Sequence, residues 1–166
     1  STMKEYHELL EDDPAWVGKA QDWVNKMKDV NEFLASIELN TADMGELPVR
    51  VTYQDSCHLA HGQKVRKGPR QLLRQVPGLT LEEMPLSDQC CGSAGIYNVM
   101  HTDMSMEVLS RKMENVNRTR AEWIATANPG CMLQMEAGVA KHGRGQRVLH
   151  VMQILDEAYQ AKRPRG

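Results

Sequence analysis

The sequence predicts a three-layer α/β domain, with a four-stranded, mainly parallel sheet covered by helices on both faces and an N-terminal helical segment ahead of it. Three observations carry this. Short β-branched or apolar runs recur at 49–53, 79–84, 123–127 and 147–150, and each reads as a strand. A stretch with helical apolar spacing follows each run. At 166 residues the chain is long enough for one domain with a real core plus an appendage. Alternation of strand and helix requires crossover connections, and those make the sheet parallel.

Taken in order, residues 3–11 read as a short helix that breaks at Asp12-Asp13-Pro14. Asp13 is suited to cap a new helix and Pro14 to occupy its first position. Trp16, Ala20, Trp23, Met27, Val30 and Leu34 recur every three or four residues, which predicts one amphipathic helix over 14–37. Its apolar stripe is expected to pack on the domain behind it; the alternative is a docking face for a neighbouring domain. Gly45 and Pro48 punctuate a loop over 40–48. The chain thus divides into N-terminal helices at 1–47, a linker and packing unit, and a cysteine-bearing domain at 48–166. Its opening, Ser1-Thr2-Met3, suggests a chain cut from something longer.

The first strand, Val49-Arg50-Val51-Thr52-Tyr53, runs straight into Asp55-Ser56-Cys57-His58. A helix over 68–76 turns Leu72, Leu73 and Val76 inward, and the second strand, 79–84, runs towards Cys90-Cys91. A helix over 103–120 carries Met106, Leu109, Met113 and Val116 on one face. The third strand, 123–127, leads into Asn128-Pro129-Gly130-Cys131 and a helix to His142; the fourth, 147–150, leads into a closing helix over 151–161. This Rossmann-like arrangement places each cysteine after the carboxyl end of a strand, the edge where open α/β sheets bind ligands.

Composition narrows the function. Lys and Arg total 20 against 22 Asp and Glu, a net charge of −2, which argues against a nucleic-acid protein. No apolar run reaches the roughly 18 residues of a membrane helix, and residues 1–13 are acidic and polar, unlike a secretory signal. Four cysteines without an export signal favour reduced thiols in the cytoplasm, and metal or redox chemistry over disulfides. Eleven methionines against few aromatics predict a core of flexible aliphatic side chains. No Gly-rich phosphate loop follows the first strand, so nothing points to flavin or nicotinamide binding.

The central stretch is Asp88-Gln89-Cys90-Cys91-Gly92-Ser93-Ala94-Gly95. Adjacent cysteines bond to each other only with strain, but both can present thiolates to one metal or cluster where the backbone turns sharply. Gly92 and Gly95, and Gly130 beside Cys131, shape such turns. Thiolates are soft ligands that select iron–sulfur clusters and zinc. Cys131 lies at a helix N-terminus, where the dipole favours a thiolate. The spacing fits neither a zinc ribbon nor a ferredoxin run, and four inert core cysteines are the remaining reading. His58 and His61 flank Cys57 and are candidate ligands or proton carriers, or loop histidines bonded to backbone. His150 ends the fourth strand at the same rim and is the best candidate for a fifth group. His7 and His142 are expected to be solvated or capping. Lys64, Arg66, Lys67, Arg70 and Arg74 form a basic run, read as a solvated face or as a docking patch for an acidic protein partner.

These residues resemble the CCG, or cysteine-rich, domain family. That domain occurs in the heterodisulfide reductases, the lactate-utilisation iron–sulfur proteins and the iron–sulfur subunit of glycolate oxidase. Three stretches carry the resemblance, which is strongest to the C-terminal CCG domain of the last: Asp55 to Gln63, Cys90 to Asn98, and Asn128 to Gln134. The resemblance implies an electron-transfer domain with no catalytic residues of its own, in a flavin-dependent complex that oxidises glycolate or a related 2-hydroxy acid. Cys57, Cys90, Cys91 and Cys131 would ligate an iron–sulfur cluster, an ordinary 4Fe-4S centre among them, or zinc. Implied partners are the flavin-containing subunits, the N-terminal ferredoxin-like and first CCG domains of the same subunit, and the membrane only through a quinone at its inner face. The fullest family motif has a fifth cysteine where this chain has Gln134, which argues against the non-cubane cluster of the heterodisulfide reductases. The alternatives are a structural zinc domain that joins subunits and a thiol–disulfide oxidoreductase.

Overall fold

The computed structural model describes residues 2–162. Ser1 and residues 163–166, the two extremes of the regions 1–47 and 48–166, lie outside the described residues. The sheet is four-stranded and parallel throughout, in the order β2-β1-β3-β4, with β1 at Arg50–Gln54, β2 at Thr80–Leu81, β3 at Trp123–Thr126 and β4 at Arg147–His150. Its register pairs Val51 with Leu81 on one side and with Trp123 on the other, and Thr126 with His150. In β1 every residue after Arg50 is buried, the mark of a strand covered on both faces.

Two apolar clusters fill the layers. Val51 and Tyr53 of β1, Ala125 and Leu149 pack against α4 (Lys67–Arg74) and α8 (Val151–Lys162) through Leu72, Leu73, Ile154, Leu155 and Ala158. On the other side Ile124 packs with α6 (Thr102–Asn117) and α7 (Pro129–His142) through Leu109, Met113, Val116 and Met135. Ile124 and Ala125 are adjacent and fall into opposite clusters, as the two-residue period of a strand requires. Met84, Cys91 and Cys131 belong to the second cluster. The three-layer expectation therefore holds, with helices on both faces.

Several local expectations change. The second strand is two residues long instead of 79–84: Pro85 lacks an N–H for the ladder, and after Glu82, whose N–H donates to the Val51 carbonyl at 2.8 Å, the chain leaves the sheet. The helix expected over 14–37 is two helices, α2 (Val17–Lys26) and α3 (Val30–Ala35), and Pro14 precedes the first of them by three residues. Met27 is extended, and Asp29 starts α3 with a capping box: its side chain accepts from Asn31 N–H, and the Glu32 carboxylate accepts from Asp29 N–H.

The stripe divides with the helix. Leu34 and Ala35 pack on the first core cluster, whereas Trp16 and Trp23 remain 51% and 48% exposed and only Ala20 of α2 is buried. Packing on the domain thus describes α3 and not α2. Upstream, the expected helix 3–11 is a 3-10 turn at Thr2–Lys4 followed by α1 (Tyr6–Leu9), and Asp13 accepts from Ala15 N–H in a local turn.

Candidate metal centre

The site assembles at the carboxyl edge of the sheet from three connections. Beyond β1, Asp55 and Ser56 lead to Cys57, which opens a π-helical turn at His58–Gly62. Such turns are rare and concentrate at functional sites. Beyond β2, residues 82–89 descend to Cys90-Cys91-Gly92, and the short helix α5 (Tyr97–Met100) follows. Beyond β3, Asn128 caps α7, its side-chain oxygen accepting from Cys131 N–H at 3.1 Å, with Pro129 in the first turn.

These connections enclose a cavity of about 420 Å³ lined by all four cysteines together with Ser56, His58, Ser93, Ala94, Gly95, Asn128 and Gly130. All four sulfurs are free thiols; Cys91 and Cys131 are buried, Cys57 and Cys90 half-buried. They stand as two pairs. Cys91 couples most strongly with Cys131, and Cys57 couples with Cys90. Among the described residues no three His, Cys, Asp or Glu side chains are grouped as ligands of a single metal ion.

The pairing sorts the protons. The Cys131 thiol, and after it the backbone of Ser93, pulls Cys91 down to about 6, against the opposing effect of burial. Cys131 itself is pushed well above its ordinary value, first by that same hydrogen bond and then by burial. Burial and the neighbouring Cys90 raise Cys57 to about 11. The coupling favours the anion on Cys91, with Cys131 holding the proton beside it.

Gly92 makes the vicinal cysteines possible. Its φ is +94°, and a Cβ there would stand 2.5 Å from the carbonyl oxygen of Ser105, so both conformation and space demand glycine. A chain of hydrogen bonds holds the turn: Asn98 donates to Gln134 Oε1 at 3.3 Å, Gln134 Nε2 to Ser105 Oγ at 2.9 Å, and Ser105 Oγ to the Gly92 carbonyl at 2.8 Å. Gln134 is thus a strut of the loop, and it does not line the cavity.

The histidines divide. His58 lines the cavity. His61 does not: its Nδ1 stands 3.1 Å from the Arg66 guanidinium and its Nε2 3.3 Å from the Asp88 carbonyl. His150 ends β4 but is spent on α8, its Nδ1 accepting from Met152 N–H at 3.1 Å. In His7 the Nδ1 is buried without a hydrogen-bond partner, so it is not simply solvated. His142 lies in the last turn of α7 and its carbonyl accepts from Asn117.

Much of the basic run is consumed internally: Arg66 pairs with Asp88, Arg70 with Asp55 and Glu83, and Arg74 with Glu83. Two features carry no signal in the sequence. Lys112, on the apolar face of α6, is buried with its ammonium on the Leu86 and Ser87 carbonyls. Ser56 lines the cavity with a buried hydroxyl that has no hydrogen-bond partner, a position placed to bond an occupant. Four thiols and an unpartnered hydroxyl thus line one cavity.

The likeness of the chain to known proteins takes in this segment. The family model of the cysteine-rich domain, CCG, matches residues 51–136. The chain is 44% identical over 159 residues to a protein of Bacillus subtilis (strain 168) named as a probable glycolate oxidase iron-sulfur subunit, covering 94% of this chain and 36% of that protein. It is 31% identical over 155 residues to lactate utilization protein A of Oceanobacillus iheyensis, covering 93% of this chain and 63% of that protein. Against lactate utilization protein A of Lysinibacillus sphaericus (strain C3-41) the identity is 32% over 155 residues, covering 93% and 68%. The chain thus spans about a third of the length of the first relative and roughly two thirds of the others. Its matched segment runs from β1 through the three cysteine-bearing connections to the middle of α7, and the chain belongs to the cysteine-rich CCG domain family.

Proposed function

We propose that this chain is an electron-transfer domain of a 2-hydroxy-acid-oxidising complex of the glycolate oxidase type, holding an iron–sulfur cluster on Cys57, Cys90, Cys91 and Cys131. The observation that carries the reading is the convergence of all four thiols on one cavity at the carboxyl edge of the sheet. The names of the relatives agree with it: an iron-sulfur subunit of glycolate oxidase and lactate utilization proteins. A bound cluster would accept and release an electron; the chain's own residues fix the ligands and shape the cavity.

In this reading residues 48–166 form the cluster domain and 1–47 a packing and linking unit. Exposed Ile96, Val99, Met100 and Leu133 follow the cysteine motifs in sequence, and with Trp16 and Trp23 they offer apolar surface to partners. Those partners would be the flavin-bearing subunits and further cluster domains of the same assembly, at the cytoplasmic side of a membrane that carries the quinone acceptor. Among the described residues no helix is long and apolar enough to cross that membrane.

The test is iron, acid-labile sulfide and zinc analysis with a visible spectrum, on protein purified without oxygen and reconstituted with iron and sulfide. Iron with sulfide supports the reading. Zinc alone would make the domain structural, and neither would leave the thiol pairs as redox groups.

A further inference from the structure

Lys112 breaks the pattern of its helix. Leu109, Met113 and Val116 surround it on the core face of α6 and all are fully buried; Lys112 is itself only 1% exposed. A buried ammonium is costly unless something compensates it, and an apolar side chain would complete the stripe. Its Nζ donates to the carbonyls of Leu86 and Ser87, both at 2.9 Å. Leu86 has φ +54°, so the ammonium clasps a strained turn just ahead of Cys90-Cys91.

Two carbonyls satisfy donors and do not neutralise a charge. Among the described residues no carboxylate lies within ion-pair distance of Lys112, and the nearby acids are engaged elsewhere, Asp55 by Arg70 and Asp88 by Arg66. The strongest electrostatic partner of the ammonium is Cys91, followed by the more distant carboxylates of Asp55 and Asp88 and then by Cys57. Burial lowers its pKa to about 8, which leaves it a cation at neutral pH.

We infer that Lys112 is a positioning residue and the buried counter-charge of the thiolate set: it ties down the Leu86–Ser87 carbonyls and offsets the negative charge that the ligated cysteines carry. The inference rests on the cluster reading above for its effect on electron transfer. A positive charge close to a cluster favours the reduced, more negative state, because net charge around the centre sets its potential. Removing it makes the centre harder to reduce.

Lys112→Gln keeps a hydrogen-bond donor and removes the charge; Lys112→Arg keeps the charge. After anaerobic reconstitution, Lys112→Gln should retain iron and sulfide, while its reduction equilibrium against a reference couple falls about tenfold, a shift of about 59 mV for one electron. Lys112→Arg should stay near the wild type. In the metal-free chain at pH 7, the ultraviolet thiolate absorbance should fall in Lys112→Gln and persist in Lys112→Arg. A loaded Lys112→Gln chain with unchanged potential overturns the inference and leaves the cluster reading intact. A wild-type chain that takes up neither iron nor sulfide overturns the cluster reading, and the thiolate absorbance then decides the role of Lys112 alone. If Lys112→Gln does not fold, Cys91→Ser removes the anion in place of the cation. The nitrogen-15 resonance of the Lys112 ammonium should shift in the metal-free variant, and an unmoved resonance refutes the pairing.

Discussion

Arg70 presents two nitrogens to the two carboxylate oxygens of Asp55, at 2.8 and 2.7 Å, and turns the other edge of its guanidinium to Glu83. Ser87 completes the knot: its hydroxyl donates to Asp55 at 2.8 Å, and its carbonyl accepts from Asp55 N–H at 3.0 Å. The end of β1 is thereby tied both to α4 and to the segment that descends to Cys90. Two of the three cysteine-bearing connections are held in register by one guanidinium and the Asp55–Ser87 bonds.

The Arg70–Asp55 pair predicts a pH signature. Burial pushes the Asp55 carboxyl up, but the hydrogen bonds from Arg70 and Ser87 outweigh it and hold the group below its ordinary value. Its contribution to stability is therefore complete above the ordinary carboxylate range, near pH 4, and is lost as pH falls through the depressed native value. Arg70→Met strands a carboxylate whose side chain is only 3% exposed, and should cost about 3 kcal/mol at pH 7, the low end for breaking a buried pair. The gap should narrow in acid, because protonation relieves the stranded carboxylate of the variant first and, below the depressed native value, weakens the pair in the wild type. Urea denaturation at pH 7 and pH 3 measures it; an equal gap at both would assign the loss to packing over the Tyr53 ring, which the guanidinium also covers.

Gly92→Ala is expected to damage the site more than the fold. The left-handed conformation alone costs an alanine about 1–3 kcal/mol, and its Cβ would have to move the Ser105 carbonyl from 2.5 Å away. Gly95 is the control: it too has positive φ, +67°, but nothing lies within 4 Å of the added carbon. Gly92→Ala should lose iron and sulfide on reconstitution, while Gly95→Ala loses only the conformational increment in a thermal melt. Equal iron uptake by both would show that the Cys91 turn tolerates displacement.

Cys91→Ser tests the ligand set directly. Cys91 is buried in the second apolar cluster, so a serine there costs about 1–3 kcal/mol for its poorly paired hydroxyl and leaves the sheet folded. It also removes the thiolate that Cys131 and Lys112 both serve. Iron and sulfide content should collapse while the circular dichroism stays close to wild type. Full metal content in Cys91→Ser would remove Cys91 from the ligand set.

How far this was legible in the sequence depends on the kind of signal. β1, β3, β4, α6 and α7 follow from apolar periodicity, and the four cysteines converge because each follows a strand. The split of the N-terminal helix was legible too, in Asp29 and Glu32 at capping-box spacing, but the Trp16–Leu34 stripe runs through it at an unbroken period. Long-range choices were not legible. Arg70 reads as one charge in a basic run until the fold brings Asp55 beneath it. Lys112 reads as a solvent-facing residue, because pattern assigns lysine outward by default. His150 reaches the right edge of the sheet and then spends its ring on the backbone of Met152, a local bond that competes with any site role.

Gln134 stands where the fullest family motif has a further cysteine, and the structure gives it a different task. It follows Cys131 by three residues on α7, so the two share a face, yet its amide is committed to Asn98 and Ser105 and lies outside the cavity lining. Gln134→Cys should therefore act through the lost strut. Two hydrogen bonds disappear, Ser105 keeps its bond to Gly92 without its own donor, and the buried position loses about 1–3 kcal/mol. The visible spectrum of the reconstituted chain should keep its wild-type shape, with a lower melting temperature and faster loss of iron. A spectrum that changes shape on Gln134→Cys would mean that a sulfur at this position reaches the cluster, and that glutamine there withholds a ligand instead of bracing the loop.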